Sequence, residues 1–537
     1  MKSRFVIAAS ALLGVWCSDR NPTPASAHSN SASPAAVAAE RIYDPEAIQR
    51  LRSGVLAERL GDSATARLAY QRAIPELDPV ADWLRLRVAS LTPDSEERAK
   101  MLRAVENQPA SAQVGLVEAR AREGYGDIAG AILAREKLGQ AADVIRLRLS
   151  MAGPPESRLV ILKDIVRYAT DSSTSPAASP VAANALPFRE MLGGNDNLAL
   201  ARASSVSSAP DQVLSFYLRA RERGAALTAS DHVRLGGALS ARARYREASL
   251  EYARVTKGPL VPRALLERGR ALIRADRNGK AVLEDLLRRF PGDTMATPVA
   301  LGLLGDLARD AGNYAIARRQ WLSLGHRFPA SESAPRARFL AALVAWTDNR
   351  FTEAAREWDS LVASTHAAEE VDAAEYWAGR AWLAAGDSSR ARERWNAVRT
   401  RYPLSYYAGL SSRRLGLGLT ADIAPGVDSF PRVSDVYAAH DRLSILSQAG
   451  LTGELLLETR WIASQAGDQI SRVLATAELL RRFHRGSATT QLGWRVLSRG
   501  DSASRTYRLI FPLLFGAALN TAAEHGGVEP ALVAALI

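Results

Sequence analysis

Residues 305–329, GDLARDAGNYAIARRQWLSLGHRFP, recur 74 positions later as residues 379–403, GRAWLAAGDSSRARERWNAVRTRYP. Midway between them, residues 342–366 read ALVAWTDNRFTEAAREWDSLVASTH. Three positions align at a spacing of 37: a small residue (Gly305, Ala342, Gly379), an alanine (Ala317, Ala354, Ala391) and a tryptophan (Trp321, Trp358, Trp395). Tyr314, Phe351 and Ser388 also align, although serine breaks the aromatic pattern. Self-similarity at a fixed period of this length marks a stacked repeat. Within a copy, the small residue precedes the alanine by 12 and the tryptophan follows it by four. The last two share one helical face. Turn formers fall between small residue and alanine (DAGNY, TDNRF, AAGDS), and Pro329 and Pro403 stop two of the copies. Each unit is therefore a helix, a short turn and a second helix. The small residue lets the helices approach and the alanine fills the contact. The tryptophans are expected to pack between helices.

The same pattern recurs with Gly236, Ala248 and Tyr252, with Gly269 and Ala281, with Gly54, Ala66 and Tyr70, and more weakly with Ala119, Gly126 and Ala131. This spacing resembles the tetratricopeptide repeat, a helical-hairpin solenoid unit. Nearly every window of the 537 residues is apolar at helical rather than alternating spacing, so the fold class is all-α. Two stretches interrupt the pattern: residues 170–187, a Pro/Ser-rich loop, and residues 420–435, with several turn formers. Beyond the second, Asp441–Leu457 and Gln469–Arg482 read as helices of a smaller domain.

The N-terminus reads as an export signal. Lys2 and Arg4 precede a 12-residue apolar stretch, Phe5–Trp16, too short to span a bilayer, and Ala25-Ser26-Ala27 offers a cleavage site. Cys17, the single cysteine, ends that stretch and is a second candidate endpoint, as a lipid-attachment residue. Either reading places the protein in the periplasm, the second as an outer-membrane lipoprotein. A chain cleaved after Ala27 has no cysteine and no disulfides.

The net charge of +12 comes from 63 arginines and six lysines against 57 acids. No basic run or nucleic-acid module accompanies it, which argues against nucleic acid and leaves solvated helix faces or an acidic polymer. The seven histidines (28, 232, 326, 366, 440, 484 and 525) show no metal-ligand spacing. No phosphate loop or nucleophile elbow is present. The acid pairs Glu96-Glu97, Glu284-Asp285 and Glu369-Glu370 read as helix surface. No metal or cofactor is expected.

Two further stretches carry a resemblance. Residues 374–416 end a hairpin in Tyr402-Pro403-Leu404-Ser405-Tyr406-Tyr407 and run on to Arg413-Arg414-Leu415-Gly416. Residues 507–537, YRLIFPLLFGAALNTAAEHGGVEPALVAALI, close with Pro530, Leu532, Val533, Ala535, Leu536 and Ile537 in a Pro-initiated helix start. Both are similar to soluble lytic murein transglycosylases, at the end of the superhelical part and at the entry to the catalytic domain. The resemblance implies a right-handed superhelix that closes into an arch or ring, a helical linker domain and the first helices of a lysozyme-like domain. It also implies non-hydrolytic cleavage of the MurNAc–GlcNAc bond of peptidoglycan, giving 1,6-anhydro-MurNAc. One glutamate in the sequence R-Q-E-S does this chemistry, and it would lie just beyond Ile537, so the chain as given is expected to be silent.

The expected domains are 1–27 (signal peptide), 28–45 (tether), 46–169 (N-terminal hairpins), 170–187 (loop), 188–425 (superhelix), 426–504 (linker domain) and 505–537 (start of the catalytic domain). The expected partners are glycan strands, met by a basic inner surface, and cell-envelope proteins, with membrane contact only through lipid on Cys17. A neutral or acidic inner face would contradict that basic surface. The alternative reading is a periplasmic repeat scaffold without catalytic activity.

Overall fold

The computed structural model describes residues 43–207, 209–365, 370–418, 429–501, 503–513 and 516–527, and among them every regular element is helical. The three aligned copies fold as helix pairs: Ala296–Asp310 with Tyr314–Arg327, Ala334–Thr347 with Phe351–Ser364, and Val371–Ala384 with Ser388–Arg401. Their turns are built from residues suited to left-handed backbone, such as Gly386 at φ +89°. Asp387 then caps the next helix by accepting the Arg390 N–H at 3.0 Å.

The glycines seat rings rather than alanines. A β-carbon on Gly305 would lie 2.3 Å from Trp321 Nε1, and one on Gly379 would lie 2.6 Å from Trp395 Nε1. Gly236 stands in the same relation to Tyr252. Ala317, Ala354 and Ala391 are fully buried beside these rings, but the close approach between helices is filled by the aromatic residue. Trp358, opposite Ala342, is 0% exposed. In the copy starting at Gly269 the expected alanine is displaced. Its second helix, Lys280–Arg289, begins late, so Ala281 is exposed and Leu283 packs on Gly269. The longer turn moves the apolar face by two residues.

Hairpins stack so that each core merges into the next. One cluster runs from Leu149 to Ala271, the next from Val233 to Leu304, then Leu301 to Val344, then Ala342 to Ala408. The supposed loop 170–187 takes part in this stacking. Helix Pro155–Asp171 extends into it, and Ala178–Ala183 forms a short helix whose Ala178, Val181 and Ala182 are buried. Its alanines are small enough to pack closely, which outweighs the turn-forming composition around them.

The C-terminal part also departs from expectation. Gly450, at φ +76°, divides the expected helix 441–457 into Ser434–Ala449 and Thr452–Ser464. The boundary at 504 dissolves as well. Leu509 and Ile510 of helix Ser504–Ile510 are buried, and Leu509 packs with Val473, Leu480 and Val496 of the preceding helices. The described residues of the expected linker domain, 429–501, belong to the same compact unit as the helices before them. Helix Ser434–Ala449 packs directly on the first helix of the array, Pro45–Arg59.

Polar contacts fasten this junction of the two ends. Arg59 donates to the Gly450 carbonyl at 3.1 Å. Arg87 bridges Glu58 at 2.8 Å and Glu454 at 2.6 Å. The Trp83 indole N–H donates to Glu458 at 2.9 Å, and Arg442 binds the other oxygen of that carboxylate at 3.3 Å. Glu454 and Glu458 are buried, so these pairs are desolvated. Removing one partner of such a pair leaves a charge that water cannot reach.

Candidate binding surface

Several first helices of successive hairpins touch one another: Val261–Arg274 and Ala296–Asp310, Ala334–Thr347 and Val371–Ala384, and Val371–Ala384 and Tyr406–Leu415. Successive second helices make no comparable contact. The crowded side of a curved array is its inside, so the first helices line the inner face.

That face is not basic. In the three aligned copies the first helices carry four arginines (309, 336, 338, 380) and four acids (306, 310, 372, 375). The second helices carry nine arginines against four acids. The expected basic inner surface is therefore corrected: arginine concentrates on the outer helices. Much of it is already paired there, as in Arg318 with Glu353 and Arg394 with Asp359.

The inner face is aromatic instead. Trp377 lies 5.7 Å from Trp346, 6.0 Å from Trp358 and 5.9 Å from Tyr376. Tyr376 meets Tyr407 at 5.4 Å, and Tyr407 meets Tyr406 at 5.4 Å. Trp346, Trp377 and Tyr407 are half-buried, while Tyr406 is 74% exposed. The Arg380 guanidinium sits over both indoles, 5.3 Å from Trp346 and 5.0 Å from Trp377. Further along, a cleft of about 180 Å³ is lined by Gly302, Asp306, Arg336 and Leu340. Burial raises the Asp306 carboxyl above its usual value, against the pull of Arg309 and Arg336.

The residues singled out from sequence divide. Tyr402 ends helix Ser388–Arg401, and burial raises its hydroxyl pKa. Pro403 follows it, and Ser405 caps Tyr406–Leu415 by accepting the Ala408 N–H at 3.1 Å. Tyr402 and Tyr407 both pack on the core around Trp358 and Trp395, whereas Tyr406 faces water. Cys17, Pro530, Leu532, Val533 and Ala535 lie outside the described residues. Sequence reading missed Trp346, Trp377 and Arg380. The available signal was aromatic content on first helices, additional to the tryptophan of each second helix.

A second concavity, of about 410 Å³, lies where the two ends meet, lined by Asp82, Trp83, Arg85, Asn107, Arg442, Glu458 and Trp461. Its carboxylates are committed. Burial pushes Asp82 up, but donors from Asn107 (2.8 Å from its backbone N–H) and Arg85 hold it below its ordinary value. Among the described residues no cluster of His, Cys, Asp or Glu could hold a metal ion, and no helix is long and apolar enough to cross a membrane.

Comparison with known proteins identifies the repeats. Residues 227–294 and 303–369 match one tetratricopeptide-repeat family model, and residues 373–405 match another. The chain thus carries tetratricopeptide repeats in a helical superhelix of that type. No curated protein matches it. The structure of yeast Tom70 is similar at 12% identity over 90% of this chain and 96% of that one, with a TM-score of 0.26. The Cut9–Hcn1 hetero-tetramer of APC/C is similar at 8% identity over 86% and 88%, with a TM-score of 0.22. Naa15/Naa10 bound to HypK-THB is similar at 12% identity over 87% and 78%, with a TM-score of 0.22.

Proposed function

We propose that this protein is an exported, non-catalytic repeat scaffold that holds a segment of a partner protein against the inner face of its superhelix. The observation carrying the reading is the character of that face: charge-balanced and rich in half-buried aromatic side chains, as polypeptide-binding surfaces are. A test is site-specific photocrosslinking in cells. A crosslinker at Leu343 or Tyr406 should trap a discrete protein, whereas one at outer-face Arg356 should not. Equal labelling from both faces sinks the proposal. So does release of anhydro-muropeptides from murein sacculi by the purified protein.

A second reading, part of a lytic transglycosylase, rests on the resemblance of residues 374–416 and 507–537. The neutral inner face weighs against electrostatic capture of acidic glycan strands. An in-frame R-Q-E-S sequence just downstream, with anhydro-muropeptide release by the longer product, would establish it. Export is tested by the mass of the mature N-terminus, which also separates cleavage after Ala27 from lipidation at Cys17.

A further inference from the structure

Arg380 differs from the arginines around it. Arg394 and Arg401 reach Glu375, Arg318 reaches Glu353, and Arg338 donates to Ser360 and Ser364. Arg380 forms no hydrogen bond or ion pair among the described residues. Its guanidinium is held only by the faces of Trp346 and Trp377. The two indole planes are inclined at 70°, and a cation–π contact with them takes up none of the guanidinium's N–H donors in a bond to an acceptor, so those donors can meet a carboxylate. The indoles also restrict the side chain, so less rotamer entropy is lost on binding. The surroundings are apolar: Leu343 occupies the equivalent position one repeat earlier, Leu383 is exposed, and Tyr407 and Tyr406 extend the aromatic surface.

We propose that Arg380, presented against Trp346 and Trp377, receives the carboxylate of an acidic residue flanked by apolar residues in a bound polypeptide. The assignment rests on the scaffold reading and names the chemistry of its partner. Charge complementarity selects this occupant, because the guanidinium has no ion pair among the described residues and aromatic and apolar side chains surround it. Apolar neighbours on the ligand would cover the indoles and exclude water from the pair, which strengthens it.

The experiment uses the full chain and two fluorescein-labelled decapeptides, one with a single Glu between Leu and Trp residues and its Gln twin, read by fluorescence anisotropy. The Glu peptide should bind at least about tenfold tighter than the Gln peptide, the range of a charge-assisted hydrogen bond. Arg380→Gln should abolish that preference while helical circular dichroism and melting temperature stay unchanged. Arg380→Lys should recover only part of it, and outer-face Arg356→Gln should leave it intact. Equal binding of the two peptides, no binding of either, or a preference that survives Arg380→Gln overturns the proposal. The crosslinking result is independent: trapped protein at Leu343 together with indifferent peptides would remove the acidic site and leave the scaffold.

Discussion

Trp395 shows what a single glycine position does in this array. Its indole lies over Gly379, and its N–H reaches the Tyr376 carbonyl at 3.2 Å. A methyl group on Gly379 must push the ring away, because it would meet Nε1 at 2.6 Å. Gly379→Ala should therefore cost about 1–3 kcal/mol, the usual range for overpacking, despite alanine's better helix propensity. Trp358→Ala should cost about 3–5 kcal/mol through the cavity it leaves. Urea unfolding checks both, and a Gly379→Ala protein as stable as the parent would mean that the ring can shift freely. The spacing in the sequence located each of these rings correctly. It misassigned the glycine contact because spacing gives a shared face, not which of two residues on that face is tall enough to touch the neighbour.

Helix Ala229–Ala241 shows the same logic for an element. Thr228 caps it by accepting the Asp231 N–H, and the Asp231 carboxylate accepts the Thr228 N–H at 2.9 Å, forming a reciprocal capping box. Asp231 is fully buried and also binds Arg202 at 2.6 Å and the Tyr217 hydroxyl at 3.0 Å. Burial alone would raise its pKa, but the hydrogen bonds from Arg202 and Thr228 outweigh burial and hold it well below the usual carboxylate range. A carboxyl depressed in the folded state contributes stability above its unfolded value, about pH 4, and loses it as pH falls toward the folded value. Stability should therefore decline below about pH 4, and Asp231→Asn should flatten that decline while costing about 3 kcal/mol near neutrality. Thermal melts from pH 3 to 7 measure both effects. A parallel decline in the variant would assign the acid sensitivity elsewhere. The helical hairpins were legible because apolar period and turn residues agree. Two elements were not: Ala178–Ala183 is hidden among Ser and Pro, and Lys280–Arg289 is shifted by a longer turn.

For the molecule as a whole, the junction of the two ends was the least legible feature in the residues themselves. Arg87 and Glu454 are 367 positions apart, and Arg59 and Gly450 are 391 apart. No local period encodes a pairing that the accumulated rotation of all intervening hairpins brings about. The neutral inner face was illegible for a related reason, since net charge does not say which helix of a hairpin turns inward. Arg87→Ala leaves Glu454 and Glu58 facing each other without their shared cation. It should cost about 3–5 kcal/mol and raise hydrogen exchange in helix Ser434–Ala449 before the central repeats respond. Uniform exchange along the chain would contradict a distinct fastening at the ends.

An open stack of hairpins can gain or lose a unit and remain soluble, which is how such arrays lengthen and shorten over generations. Here the first helix must land on the helix after the last repeat, and that restricts the number of units. One duplicated copy of 342–378 would displace the far terminus by roughly 9 Å, a helix–helix distance, and rotate it out of register. Arg87 would then miss Glu454. An array fastened at both ends in this way tolerates replacement of its repeats far better than a change in their number.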